Sequence, residues 1–253
     1  MADGVLSMDS TKSSFWGQMY DSGRIPEQKF TLCYRKAREH NKTGTHAGAM
    51  TLGGADTRLH EHDMVMSVMD SESSSNWKAK IRKVHLRSGG GGDSAKSTNI
   101  ASVIKTLPLR EDDFNLNPVY LDSGYTNTFL SSNIATSFYD VWKDLTGSTY
   151  SNYPKSMSVA ERDSLPTILF QFVGDEIYNK QVSAKNGAGD AVGLAGKLDP
   201  DHPLDVIVAV PPSHYMTLTP GSDNRYRASI FESADREGSA TVLGANLMRG
   251  HDM

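Results

Sequence analysis

The stretch Val119-Tyr120-Leu121-Asp122-Ser123-Gly124-Tyr125-Thr126 is where the reading of this sequence turns. Three apolar residues of strand character run straight into an acid, a hydroxyl residue and a glycine. That order places Asp122 at the end of a buried strand, where the backbone turns sharply. The Ser123 hydroxyl can bond backbone, and Gly124 lets backbone approach a ligand. Taken alone, Asp-Ser-Gly is also ordinary turn chemistry, so its weight depends on its surroundings.

Outward from this stretch, Gly, Ser, Thr, Asn and Asp punctuate the chain every ten residues or so. Short apolar, β-branched and aromatic runs lie between them, at 29–34, 49–52, 63–68, 78–86, 119–121, 167–172, 204–210, 226–231 and 240–243. This spacing predicts an all-β protein, mainly antiparallel, rather than alternating β and α units. Two segments read as helices. Residues 14–22 place Phe15, Met19 and Tyr20 on one side, and residues 132–145 place Ile134, Phe138, Val141, Trp142 and Leu145 on one face. Ser131 or Ser132 is the expected cap of the second and Thr146-Gly147-Ser148 its stop. Residues 88–98, 149–163 and 182–202 read as loops.

Composition narrows the function. The 253 residues carry a formal charge of −4, without the basic footprint of a nucleic-acid binder or a polybasic membrane segment. The longest apolar run, 206–210, falls far short of the ~18 residues of a membrane helix. One cysteine, Cys33, excludes an internal disulfide and a cysteine-based zinc site. Met1-Ala2-Asp3-Gly4 is no secretion signal, so the expectation is an intracellular protein or a chain that is not the whole precursor.

Other candidates are weighed against plainer readings. Gly90 and Lys96-Ser97 fit the phosphate-binding pattern G-x-x-x-x-G-K-[ST], but Ala95 stands where its last glycine belongs, so a Gly/Ser hairpin loop is the better reading. His60-Glu61-His62 has two imidazoles at strand spacing and no further ligand at a recognisable distance, which fits a solvated turn. Asn41-Lys42-Thr43 is a glycosylation triplet that matters only in the secretory pathway. Cys33, in an apolar run, reads as a buried, inert thiol. No metal site and no cofactor are expected.

The Asp122 segment resembles the second catalytic motif of pepsin-like aspartic proteases, apolar-apolar-Asp-[Thr/Ser]-Gly-x-[Ser/Thr], and the likeness continues in that family's order. Asp3-Gly4-Val5-Leu6 resembles the segment closing the N-terminal lobe, and Phe15-Trp16-Gly17-Gln18-Met19-Tyr20-Asp21-Ser22-Gly23-Arg24-Ile25 the interlobe helix and its turn. Phe30-Thr31-Leu32-Cys33-Tyr34 resembles the next strand, Gly48-Ala49-Met50-Thr51-Leu52-Gly53-Gly54-Ala55-Asp56 the strand and turn G-x-L-x-x-G-G-x-D, and Trp77-Lys78-Ala79-Lys80-Ile81 a further strand. After Asp122 come Leu165-Pro166-Thr167-Ile168-Leu169-Phe170, then Pro212-Ser213-His214-Tyr215. Val242-Leu243-Gly244-Ala245-Asn246-Leu247-Met248-Arg249-Gly250 is similar to I-L-G-x-x-[aliphatic]-[aliphatic]-R.

The resemblance implies a pepsin-like lobe over residues 23–253, preceded by an N-lobe remnant and interlobe helix over 1–22. It implies a ψ-shaped loop around Asp122, crossed by Val242, Leu243 and Gly244. It implies an aspartic endopeptidase acting on a peptide or protein substrate, with Asp122 catalytic, Ser123 holding geometry, Gly124 lining the water and substrate position, and Thr126 bonding substrate backbone. In that family two facing lobes each supply one Asp, and the pair shares a proton because neighbouring carboxylates cannot both ionise. The expected partner is therefore an N-terminal lobe carrying the other Asp. The secretory pathway, vacuole or exterior is the expected location if the precursor follows the family. The sequence departs from the pattern at Tyr125, where a small or hydroxyl residue is usual, and at Ser7, where the N-lobe motif has Gly. It also lacks the C-lobe disulfide, the first catalytic Asp with its flap, and the family's closing strand after His251-Asp252-Met253. An inert pepsin-like binding or scaffold module is the alternative, and nucleotide binding through residues 90–97 the third reading.

Overall fold

The structure is a computed structural model that describes residues 8–9, 11–34, 48–59, 62–69, 76–88, 102–185, 191–233 and 239–251. Helix α1 (Phe15–Asp21) starts at Ser14, whose hydroxyl accepts the Gly17 N–H. Strands β1 (Phe30–Tyr34) and β2 (Gly48–Leu52) follow, then β3 (Ile81–Arg87), β4 (Ile104–Thr106), α2 (Glu111–Phe114), β5 (Val119–Leu121) and β6 (Thr128–Leu130). Helix α3 (Ser132–Thr146) leads to β7 (Lys155–Ser156), α4 (Val159–Asp163), β8 (Thr167–Phe172) and α5 (Glu176–Lys185). The chain closes with β9 (Val206–Val210), α6 (Pro212–Tyr215), β10 (Met216–Leu218), β11 (Arg225–Ala228), β12 (Ile230–Glu232), β13 (Thr241–Leu243) and α7 (Ala245–Met248). The class is mainly β, mostly antiparallel, with a few short helices.

One sheet runs β4-β3-β8-β9, antiparallel throughout. Strand β8 lies inside it and is buried along its whole length, which is why its sequence is a near-continuous apolar run instead of an alternation. A second sheet runs β12-β6-β13-β5. Here β13 is parallel to β5 and antiparallel to β6, so that Val242 faces Tyr120 on one side and Phe129 on the other. A third sheet is β10-β11-β7, and β1 and β2 form a separate hairpin. That hairpin is held by rings of Trp16, Phe30 and Trp77, with centroids 5.4 to 6.1 Å apart. The Gly250 N–H also donates to Tyr34 O at 2.8 Å.

Helix α3 shows how sequence becomes core. Its buried stripe, Ile134, Ala135, Phe138, Val141 and Trp142, follows the helical period. Gly147 at φ 71° ends it in the left-handed conformation a side chain would resist. Phe138 and Trp142 pack on Tyr150 with centroids 5.0 Å away, and Trp142 meets Tyr215 at 6.2 Å. Each such ring stabilises by about 1.5–3 kcal/mol through burial.

Several sequence expectations are corrected. Residues 63–68 form no strand; the neighbourhood makes only isolated bridges, Ser67 with Gly174 and Met69 with Ala79. The 149–163 loop contains β7 and α4, the latter started by a reciprocal Ser158–Glu161 capping box. The 182–202 loop begins inside α5. The run at 226–231 is two strands, because the chain changes sheets at Ser229, whose N–H bonds Tyr215 O while its carbonyl accepts from Thr128. Ser131 is the N-cap position of α3 but makes no capping bond; its hydroxyl donates to Asn133 Oδ1. Cys33 is half-buried, not enclosed, because β1 sits in a two-stranded sheet. Among the described residues no helix is long and apolar enough to cross a membrane.

Candidate functional site

Asp122 is the first residue past β5, and three neighbours fix where it sits. On one flank Leu121 N–H donates to Trp77 O at 2.9 Å and Ala79 N–H to Val119 O at 3.0 Å. On the other, Asp122 N–H donates to Leu243 O at 3.0 Å, extending the β5–β13 ladder to the acid itself. The chain then turns: Gly124 N–H donates to Asp122 Oδ1 at 2.8 Å and Tyr125 N–H to Asp122 O at 3.2 Å. Among the described residues Asp122 Oδ2 carries no hydrogen bond. The Asp122 residue is half-buried, while Ser123, Gly124, Tyr125 and Thr126 are exposed.

Past β13 the chain passes directly beneath this turn. At Gly244 an added Cβ would lie 2.2 Å from Asn127 O and 2.5 Å from Tyr125 O, so only glycine permits the approach. Helix α7 begins there, and its first amides go to the turn: Ala245 N–H to Tyr125 O at 2.7 Å and Asn246 N–H to Thr126 O at 3.3 Å. The buried Asn246 side chain accepts from Thr128 Oγ1 at 2.8 Å and donates to Ser229 O at 3.2 Å, tying β6, α7 and the β11–β12 break together. Thus Asp122, Ser123, Gly124 and Thr126 from one stretch and Val242, Leu243 and Gly244 from another, distant in sequence, meet at one strand end. Asn246 carries no sequence signal that would have singled it out.

The strand, not the tripeptide, makes this place. Asp21-Ser22-Gly23 repeats the letters Asp-Ser-Gly, yet there they close α1, with Ser22 as C-cap and Gly23 at φ 67°. Asp122, by contrast, is hydrogen-bonded into a ladder before it turns.

The other candidates separate cleanly. Gly90, Lys96 and Ser97, His60 and Glu61, Asn41-Lys42-Thr43 and Asp3-Gly4-Val5-Leu6 lie outside the described residues. His62 is exposed.

A second polar centre lies under the first sheet, built from the runs at 78–86, 167–172 and 204–210 together with Asp199 and His202 of the stretch expected as a loop. Gln171 on β8, fully buried, donates its amide to Asp199 Oδ2 at 2.7 Å and Asp205 Oδ2 at 2.8 Å, and its Oε1 meets His85 Nε2 at 3.0 Å. Since Gln171 Oε1 can only accept, His85 holds its proton on Nε2, and Nδ1 accepts from Thr106 Oγ1 at 2.8 Å. Lys83 pairs with Asp199 at 2.8 Å, Arg82 bridges Asp205 and Glu111, His202 Nδ1 meets Asp199 Oδ2 at 3.1 Å, and Gly174 N–H reaches Asp205 Oδ1 at 3.0 Å. Burial works against the Asp199 charge, but the bonds from Lys83, Gln171 and His202 outweigh it and hold that carboxyl well below the usual range. Burial pushes the His85 imidazole down, against a smaller upward pull from Gln171. Asp199, His202 and Asp205 could each offer a metal-ligand atom within 4.8 Å of the others. Their carboxylates are already matched to Lys83 and Arg82, so the donor set is that of an internal ion-pair network. The single signal in the sequence was Gln171, a polar residue in an otherwise apolar run.

No protein-family model matches this chain, and no curated protein does.

Proposed function

We propose that this chain contributes one half of an aspartic-type endopeptidase site, with Asp122 as its catalytic carboxylate. The observation that carries the reading is the setting of Asp122: a ladder-bound strand end, a turn that leaves one carboxylate oxygen without a protein partner among the described residues, and a strand pair around β13 that stiffens the turn from below. A rigid, partly exposed carboxylate of this kind can take a proton from a water held against it, or give one to a carbonyl oxygen. Peptide hydrolysis by carboxylates alone needs both roles across one water, so a second carboxylate must face the first. In this reading it comes from an N-terminal lobe. Gly124 leaves room for the water and substrate, Ser123 steadies the pair, and Thr126, exposed on the same turn, bonds substrate backbone.

The test is hydrolysis of a broad peptide library from about pH 3 to 7, the range in which a proton-sharing carboxylate pair works. Residues 1–253 alone and monomeric give no cleavage; a parent protein carrying a second Asp-[Thr/Ser]-Gly cleaves, and Asp122→Asn in it loses more than tenfold, about 1.4 kcal/mol of barrier. Retention of more than a tenth of the activity overturns the assignment.

A second reading has its own observation. The Tyr125 ring, half-exposed beside Asp122 and packed edge-on against Phe129 at 5.7 Å, crowds the place where substrate would lie. That favours a pepsin-like module that binds peptides without cutting them. A parent that binds peptides yet leaves them intact with Asp122 in place decides for it.

A further inference from the structure

A file of aromatic side chains leads away from Asp122. Tyr125 packs edge-on against Phe129 with centroids 5.7 Å apart, Phe129 stacks on Phe231 at 5.5 Å, and the Arg227 guanidinium covers Phe231 at 5.2 Å. The sheet sets this order. Phe129 on β6 and Phe231 on β12 are register partners in a parallel pair, so their rings share one face while Thr128, Leu130 and Ile230 turn into the core. Beyond Phe231 the file opens into a cleft of about 530 Å³ whose walls include Tyr153 and Pro154. Exposure is greatest at the two ends, 50% at Tyr125 and 85% at Tyr153, while Phe129 and Phe231 between them are half-buried.

Charge is distributed along the file. Arg227 is exposed; its Nε donates to Asn152 O at 3.1 Å, and its Nη groups make no hydrogen bond among the described residues. Arg225 projects from the same side of β11, whose buried residues alternate with its exposed ones. A guanidinium held over a ring at 5.2 Å, with its outer nitrogens free of hydrogen bonds among the described residues, fits the two oxygens of a carboxylate.

We propose that this file is a binding groove for an extended peptide that lays apolar side chains along Tyr125, Phe129 and Phe231 and sets an acidic side chain on Arg227. Followed from group to group, the path of 5.7, 5.5 and 5.2 Å is at most the reach of roughly five residues of extended chain at ~3.3 Å each. Partly exposed rings and an arginine also suit single-stranded nucleic acid. Here Asp122 stands at one end, Glu232 follows Phe231, and the whole chain is at −4, which disfavours a backbone charged at every nucleotide far more than a peptide whose one acid is met by Arg227. The proposal shares with the protease reading a peptide as ligand, but it needs no cleavage and stands if Asp122 proves non-catalytic.

The test is fluorescence anisotropy with the 1–253 chain and three fluorescein-labelled probes. One is a Gly/Ser heptapeptide with a Phe and an Asp separated by three residues. The second has Lys in place of the Asp, and the third is a ten-nucleotide oligothymidine. The acidic peptide is expected to bind at least tenfold tighter than the lysine peptide at low salt. Arg227→Glu, at an exposed position, is expected to invert that preference, and Phe231→Leu, with circular dichroism unchanged, to weaken both peptides. No measurable binding of the acidic peptide at millimolar protein, an unchanged preference in Arg227→Glu, or tighter binding of oligothymidine than of either peptide overturns the proposal.

Discussion

Gly244→Ala tests whether the junction beneath Asp122 is as tight as its geometry requires. The new methyl would sit 2.2 Å from Asn127 O and 2.5 Å from Tyr125 O, both backbone atoms that cannot rotate away. Ordinary carbon–oxygen contact needs about 1 Å more, so either the Asp122 turn lifts or β13 and α7 drop. Forcing a methyl into a packed site costs about 1–3 kcal/mol. Lifting the turn also lengthens the bond from Ala245 N–H to Tyr125 O, worth about 1 kcal/mol. The expected loss is about 3 kcal/mol, or a fall in melting temperature of roughly 6–12 °C for a chain of this size. Gly124→Ala is the control. Its Cβ would meet only the Asp122 side chain, at 3.1 Å, which can give way, and it is expected to cost under about 1 kcal/mol. Urea unfolding measures both, and hydrogen exchange at the Asp122 amide, which donates to Leu243 O, reports whether the ladder opened. If Gly244→Ala is as stable as Gly124→Ala and the Asp122 amide stays protected, the tight packing of β13 and α7 beneath the turn is wrong.

Three further expectations concern the core and the buried network. Phe138→Ala, which removes a ring in contact with Tyr139, Trp142 and Tyr150, is expected to cost about 3–5 kcal/mol by urea unfolding; a loss under 1 kcal/mol would mean α3 is not packed as described. His85 is buried neutral with its value lowered, so as pH falls below about 6.5 the unfolded chain takes up a proton before the folded one does, and stability drops by up to about 1.4 kcal/mol per pH unit. The urea midpoint should therefore fall between pH 7.5 and 5 in the parent chain and stay flatter in His85→Gln; equal slopes refute the buried imidazole. Lys83→Met leaves the Asp199 carboxylate without its closest cation and is expected to cost about 3 kcal/mol at neutral pH, less near pH 3, where the orphaned carboxyl takes a proton; a pH-independent loss would place the effect in packing.

Local pattern decided the elements whose burial follows their own period. Helix α3 was legible because its apolar stripe and Gly147 stop are local properties. β8 and β9 were legible because strands buried on both faces write continuous apolar runs. The strand run into Asp-Ser-Gly was also legible, and with it the Asp122 turn as a candidate. Most of the elements not seen were short and mixed in composition; the ten-residue α5 went unseen because only Asn179 and Val182 of it are buried, which leaves no apolar stripe to read. β7 has two residues, and β4 and β10 have three each; such strands owe their existence to a neighbour's free edge instead of to their own residues. The short α4, read as loop, has only five residues, too few for an apolar stripe to show.

What the sequence by itself determined, then, is a mainly β class and the neighbourhood of Asp122, because strand character, turn chemistry and helix periods are carried by residues close together in the chain. What only the tertiary structure decided is which distant groups meet. β13 enters between β5 and β6, Gly244 passes under the carbonyls of Tyr125 and Asn127, and Gln171 joins His85 to Asp199 and Asp205. The same letters Asp-Ser-Gly end a helix at Asp21 and a strand at Asp122, since a tripeptide cannot hold its own geometry and takes it from the hydrogen bonds that the folded chain brings to it.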